Sequence, residues 1–487
     1  MASYTANQLN GAGTPIEALT SNTEVTFILK RPLDYLSGSA YFTVETVRNG
    51  DGFYDATLPT NALGVYGIDT GLESTNGLIT SSYISSVVVQ PTSNSTSSYT
   101  FIPTSNISVS SSMLRATGGI SLEIAGLGGP YAFVTKAGLQ TAVDLWISDR
   151  AAALGTYGGI NTWNVSVITN MSDLFFNKTT FNDNISNWDV SNVTNMQNMF
   201  NGASSFDADI TIWDVSKVEN MNSMFIGATA FNRNIGAWNV SQVENMSQMF
   251  NGATSFNQSL NSWDVSSVTT MQNMFNGASS LNGGVMIWDV SSVTNMIGMF
   301  NGATSFNRNI NAWDVSSVTN MDFMFQGAQS FNQDLNSWDV SSVTDMRAMF
   351  DGATIFNGNI IGWDVSSVTD MRAMFAFSNV FNKDISAWDV SSVTSMGDMF
   401  NNASSFNQDI GAWDVSSVTD MSTMFNSSGL STTNYDLLLN EWSALTVQPN
   451  VPFGAGTVQY SVGTPTTSRG VLTSAPNNWI ISDGGQA

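Results

Sequence analysis

A tryptophan returns every 25 residues, eleven times without slippage: Trp163, Trp188, Trp213, Trp238, Trp263, Trp288, Trp313, Trp338, Trp363, Trp388 and Trp413. Equal intervals leave no room for insertions. A chain that keeps such a register stacks one structural unit on copies of itself, and a period of about 20–50 residues marks a solenoid, a propeller or an array.

The content of one period predicts its shape. Residues Ile185–Asp207 read I-S-N-W-D-V-S-N-V-T-N-M-Q-N-M-F-N-G-A-S-S-F-D. Trp188-Asp189-Val190 alternates apolar, polar, apolar, the pattern of a short strand with its aspartate outward. Met196, Met199, Phe200 and Ala203 fall at i, i+3, i+4 and i+7, which predicts one face of a short helix. Asn201-Gly202 supplies the residues that stop it. Each unit is then a strand, a short helix and a return loop. Stacked strands would form one parallel sheet at about 4.8 Å per repeat, roughly 50 Å for eleven repeats.

The flanks read differently. Residues 1–130 carry short β-rich runs at Glu24–Leu29, Ala40–Val47, Tyr83–Val89, Tyr99–Ile102 and Ile120–Ile124, separated by turn residues. This predicts a β-sandwich or jelly roll that anchors or oligomerises the chain. Lys136–Leu154 holds a helical pattern, so 131–160 is expected to be a helical cap for the repeats at 161–429. Residues 430–487 are expected to form the other cap, with a helix at Tyr435–Trp442 and strands at Val458–Tyr460 and Trp479–Ile481. The fold class is therefore mainly β with short helices: a sandwich followed by a β/α solenoid of about eleven repeats.

Composition excludes several functions. The formal net charge is -24, from 38 acidic and 14 basic residues. An acidic chain without a basic cluster argues against nucleic acid and against anionic lipid as partners. With no cysteine there is no disulfide and no thiolate, and with no histidine the commonest general base and metal ligand is missing. No run of about 18 apolar residues could span a membrane, so no insertion is expected. The opening MASYTANQLNGAGTPIEAL has neither the basic nor the apolar region of a secretory signal.

Several recurring residues are candidates for function. The tryptophans share a face with Val190 and its equivalents and are read as structural core, not as platforms for sugar rings. The Met-x-x-Met-Phe stripe is likewise packing; thioethers bind Cu(I), but helical spacing points inward. The residue after Trp is Asp189, Asp214, Asp264, Asp289, Asp314, Asp339, Asp364, Asp389 or Asp414, with Asn164 and Asn239 replacing it twice. Carboxylates about 5 Å apart on adjacent strands repel. Hydrogen bonds from the following turn offset this on the favoured reading, and Asn can make the same bonds. A cation ladder, with Ca²⁺ as the oxygen-preferring metal, is the alternative. No other metal or cofactor is expected. The asparagine after Phe, as in Asn182, Asn232 and Asn257, is expected to bond the backbone of the next coil. Variation concentrates two residues before Trp (Thr211, Gly236, Asn261, Met286, Ile361) and after the first Met (Gln197-Asn198, Asn222-Ser223, Ile297-Gly298, Asp322-Phe323, Arg347-Ala348). Binding specificity would sit there. Leu281–Met286 and Ala376–Val380 depart most from the pattern. No catalytic set emerges, because an enzyme concentrates perturbed groups in one cleft and this chain spreads one group over nine coils.

The units W-D-V-S-S-V-T-D-M-R-A-M-F-D-G-A (Trp338–Ala353) and F-N-Q-D-I-G-A-W-D-V-S-S-V-T-D-M (Phe406–Met421) resemble the BspA-type, leucine-rich-repeat-like repeats of Mycoplasma lipoproteins and bacterial surface proteins. The resemblance covers about 160–425. It implies a right-handed leucine-rich-repeat-like solenoid, a role in adhesion or surface recognition, and no catalysis. The N-terminal region more loosely resembles β-rich modules of phage and virus virion proteins. Together these set the expectation of a non-enzymatic virion surface or appendage protein, a fibre or decoration. Its N-terminal domain would contact virion or other structural proteins or a second copy, and its repeats a host surface protein or glycan. A bacterial cell-surface adhesin is the first alternative, and a fibre-borne polysaccharide depolymerase, acting through paired carboxylates, the second.

Overall fold

The computed structural model describes residues 131–285 and 287–487, together with the backbone of seven strands between residues 24 and 110. The chain divides into two compact units: 1–133 with 141–164, and 134–140 with 165–487.

In the first unit, strands β1 (Glu24–Lys30), β2 (Tyr41–Val44), β3 (Thr46–Arg48), β4 (Tyr54–Ala56), β5 (Ser81–Gln90), β6 (Tyr99–Phe101) and β7 (Ile107–Ser110) belong to one sheet. Every pairing is antiparallel; β1 pairs with β2, β3 and β5, and β5 with β6 and β7. Most of these strands overlap runs of alternating β-formers. Tyr54–Ala56 and Ile107–Ser110 are too short to stand out in the sequence. The run at Ile120–Ile124 and any second sheet of a sandwich lie outside the described residues.

The helical pattern at Lys136–Leu154 is two helices, α1 (Lys136–Ser148) and α2 (Arg150–Tyr157). Asp149 divides them: its carboxylate accepts from Ala152 N at 3.0 Å, which starts α2 afresh. Gly158, at φ 72°, ends it. Trp163 then packs among Phe133, Trp146 and Tyr157, with centroids 5.1, 5.8 and 5.9 Å away.

The second unit is a stack of 25-residue coils, each hydrogen-bonded to the next. Met196, Asn198, Phe200 and Gly202 donate their N–H groups to the carbonyls of Asn220, Asn222, Met224 and Ile226 at 2.9, 3.0, 2.9 and 2.6 Å. The residues between them stay within the coil: Met199 donates to Met196, Asn201 to Asn198 and Ala203 to Phe200, all at 3.0–3.1 Å. Such a chain of i→i+3 turns needs a left-handed residue at alternate corners, and Asn198 and Gly202 have φ 55° and 74°.

Two local expectations are corrected here. The Met-x-x-Met-Phe segment is no helix. Consecutive tight turns also bury i, i+3, i+4 and i+7, so the burial pattern is shared. An eight-residue helix gains few internal bonds against a costly nucleus; stacking gives every second N–H a partner in the next coil. Trp188-Asp189-Val190 is also no ladder strand, although Trp188 and Val190 are buried and Asp189 exposed. The coils share a single parallel bridge seven residues beyond Trp, Asn195↔Asn220 and its successors.

Identical side chains stack through the interior. Phe200 lies 5.6 Å from Phe225 with planes 5° apart, and Trp263 lies 6.3 Å from Trp288 at 4°. All eleven tryptophans are buried. The last coil passes its bonds to β8 (Pro452–Gly454): Met421 donates to Pro452 O and Phe425 to Gly454 O. β8 pairs in parallel with β9 (Ile480–Ser482). α3 (Thr432–Trp442) buries Tyr435, Leu438, Leu439 and Trp442. α4 (Thr464–Thr473) carries Pro465 in its first turn, where proline is tolerated because its missing N–H has no partner within the helix. Val458–Tyr460 is not a strand; Tyr460 makes only one bridge, to Gln486. Arg469 and the Tyr435 hydroxyl both donate to Asp483, at 2.7 and 2.8 Å, closing this end.

Candidate functional site

The aspartate row follows directly from its turns. Asp189 Oδ1 accepts from Ser191 N at 3.1 Å and from Ser191 Oγ at 2.6 Å. Asp264, Asp289, Asp314 and Asp339 repeat both bonds. Asp214, Asp364, Asp389 and Asp414 accept from the serine N–H two residues on. Asn239 makes the same bond to Ser241 at 3.2 Å, so the turn needs an oxygen rather than a charge. The serine bonds hold Asp214, Asp264, Asp314, Asp339 and Asp389 below the ordinary carboxylate range. Asp314 works against this at Asp339, through the repulsion between neighbouring coils. Among the described residues no group of three or more acidic side chains is disposed to hold a metal ion.

A second row of the same kind has its own signal in the repeat, one that the pattern of Trp and Met overshadows: an Asx residue four before Trp. Asn184, Asp209, Asn234, Asp384 and Asp409 each accept the N–H two residues on, at 2.9–3.1 Å. Thr211 and Gly236, variable in the sequence, are therefore backbone donors in these turns. The asparagine after Phe bonds along the stack: Asp207 N donates to Asn182 Oδ1 at 2.8 Å, Asn232 N to Asp207 Oδ1 at 3.0 Å and Asn257 N to Asn232 Oδ1 at 2.9 Å. The row runs on to Asn407, which receives Ser431 N.

The tryptophans carry a bond that no spacing rule reveals. Trp213 Nε1 donates to Ile185 O at 3.2 Å, 28 residues back, and the same bond recurs through Trp413 to Ile385 O at 3.0 Å. Each indole thus closes a carbonyl of the preceding coil. Trp163 donates instead to Gly158 O. Lys136 and Gln140 reach the first coil of the stack, donating to Ser172 Oγ at 2.6 Å and Leu174 O at 3.0 Å.

The positions after the first Met change character along the stack. Early coils place Gln197 and Asn222 there; later ones place Asp322, Arg347 and Arg372. Arg347 Nη2 donates to Asp322 Oδ2 at 2.8 Å and stacks over Phe323, 4.9 Å from its centroid. Burial, then the hydrogen bond shared with Asp345, raises the Asp322 carboxyl to about 7. Arg372 is paired with Asp370.

The two irregular stretches keep the stack by different means. Leu281 fills the place of a phenylalanine and is fully buried. A Cβ on Gly283 would collide with the carbonyl oxygen of Gln258, so that corner admits only glycine. In the second stretch Ser378 replaces alanine, and its Oγ donates to Phe350 O at 2.7 Å. Phe377 replaces glycine and stays half-exposed.

A family model described as "Mycoplasma protein of unknown function, DUF285" matches three overlapping stretches, residues 149–263, 255–361 and 334–442. No curated protein matches the chain, and no solved structure does.

Proposed function

Since the chain belongs to the DUF285 family, described as Mycoplasma proteins of unknown function, we propose that it is a non-enzymatic recognition protein, displayed on the surface or an appendage of a virion. The observation that carries the recognition reading is how the repeat divides its residues. Trp, Val, Met, Phe and Ile are buried in coil after coil, while most substitutions fall at exposed or half-buried positions, with Ser223, Asp322 and Ala348 as buried exceptions. A scaffold fixed inside and varied outside is how stacked-repeat proteins present extended binding surfaces. In this reading the stack is a right-handed leucine-rich-repeat-like solenoid, and the N-terminal antiparallel sheet attaches it to structural proteins of the particle or to a second copy.

The repeated carboxylates support binding over catalysis. Each is held by its own turn, and no cleft gathers them against a reacting bond. Mass spectrometry of purified particles tests the virion assignment. The chain is expected as a stoichiometric component, and its absence would overturn the assignment. A second reading is a cell-surface adhesin, which the resemblance of the repeats to those of bacterial surface proteins implies. Recovery of the chain from washed cell envelopes, with none in particles, would select it.

A further inference from the structure

A glycine occupies one corner of seven consecutive coils, from Gly202 to Gly352, each at φ between 62° and 74°. A Cβ there would lean on the residue of the preceding coil; for Gly352 the nearest atom is Gly327 Cα at 3.7 Å. The next coil breaks the row with Phe377, which takes φ 55° and is 50% exposed. An L-residue with a bulky side chain is disfavoured there, and the ring gains little burial to offset it. An aromatic ring thus stands half-exposed at a left-handed corner where seven preceding coils place glycine.

Two further departures sit beside it in sequence and register. Three residues beyond this corner, most coils carry serine, as at Ser305, Ser330 and Ser405. Ile355 and Val380 replace it in the two adjacent coils where the glycine row ends, and are 44% and 41% exposed. Exposed apolar residues grouped in this way mark contact surfaces. Two carboxylates belong to the neighbouring stretches of chain, and one cation, Lys383, follows Val380 by three residues. Asp351 precedes Gly352, the last glycine of the row, and lies close enough to Asp398 for their charges to interact. Asp398 belongs to the coil that follows that of Phe377; the Asn401 carbonyl of the same coil accepts the N–H of Phe377 at 2.8 Å. Neither carboxylate is in an ion pair among the described residues; Asp351 is bonded by Gln326, and Asp398 by Asn401 and Thr423.

We propose that Phe377, Ile355 and Val380, flanked by Asp351 and Asp398, form the docking surface for a protein segment that carries apolar side chains beside lysine or arginine. The apolar centre supplies contact area, and the carboxylates select a cationic partner over an acidic one. The surface rests on the reading of the chain as a recognition protein and gives that reading a place and a partner chemistry.

The test uses the full chain and two labelled peptides of one pattern, one of leucine and lysine, the other of leucine and glutamate, with binding followed by fluorescence anisotropy. The lysine peptide is expected to bind at least tenfold more tightly. Phe377→Gly, Ile355→Ser and Val380→Ser together restore the residues of other coils. They are expected to weaken binding tenfold or more without lowering the melting temperature. Asp351→Asn with Asp398→Asn is expected to narrow the gap between the peptides. Equal affinity for both peptides, or undiminished binding by the triple variant, overturns the proposal. So does a lower melting temperature for Phe377→Gly, which would show that the ring serves the fold. Self-association of the wild type that the triple variant loses would assign the face to a second copy and also overturn it. Absence of the chain from particles would remove the virion reading without changing peptide binding, so the two failures are distinguishable.

Discussion

At the scale of the residue, Asp264 and its equivalents act within three residues of chain, which is why they were legible. An aspartate followed two residues later by serine is a local turn, and Asn239 makes the same bond without a charge. Asp264→Ala should cost about 0.5 kcal/mol, the low end for a hydrogen bond exposed to water, and Asp264→Asn close to nothing; urea midpoints distinguish them. Equal losses would mean that the charge, not the bond, matters. The indole bond to a carbonyl 28 residues back was illegible, because no local rule places one coil on another.

Acid and neutral pH should act on different carboxylates. The depressed group, Asp214 and Asp264 among them, contributes stability fully present above the ordinary value of 3.8 and lost as pH falls through the lowered folded values. Asp322 has the opposite sign. Its folded value is raised to about 7, so the folded state holds a proton that the unfolded state has released, and stability declines from about pH 4 to about pH 7. Asp351 is raised by burial and adds in the same direction. Melting temperatures of Asp322→Asn should change less over that window than those of the wild type. An identical profile would mean that the buried carboxyl is not protonated there.

At the scale of the element, the coil is where sequence pattern misleads. Period and burial were both readable: Trp, Val, Met and Phe lie inside as their spacing required. The backbone path was not, because i, i+3, i+4 and i+7 fit both a helix and a run of tight turns. The left-handed corner at Asn198 is filled elsewhere by Ser223, Gln248, Phe323 and Ala348, so residue type gives no warning. The other corner does signal itself, through glycine. Gly277 sits at φ 69°, and a Cβ added to it would lie 3.6 Å from Gly252 Cα, an ordinary contact distance. Gly277→Ala should therefore cost about 1 kcal/mol, for the left-handed backbone alone. A loss several times larger in chemical denaturation would point to a clash between coils instead.

At the scale of the whole molecule, each coil bonds only to its neighbours, so the repeats can vary outside without disturbing the stack. That independence lets separate regions, Leu281–Met286 and Ile355–Val380 among them, depart from the pattern. It also leaves no place where nine equivalent aspartates converge. Melting temperatures in chelator and in millimolar Ca²⁺ should coincide; a rise with Ca²⁺ would select the cation ladder instead. What the surface recognises was not legible in the repeat, because the proposed docking surface lies in its exceptions. The most direct measurement is adsorption of particles to their host in the presence of purified full-length chain. If the chain recognises the host surface, adsorption falls saturably as the chain is added, and the triple variant at Phe377, Ile355 and Val380 competes poorly. Undiminished adsorption at every concentration of the wild-type chain would contradict the account.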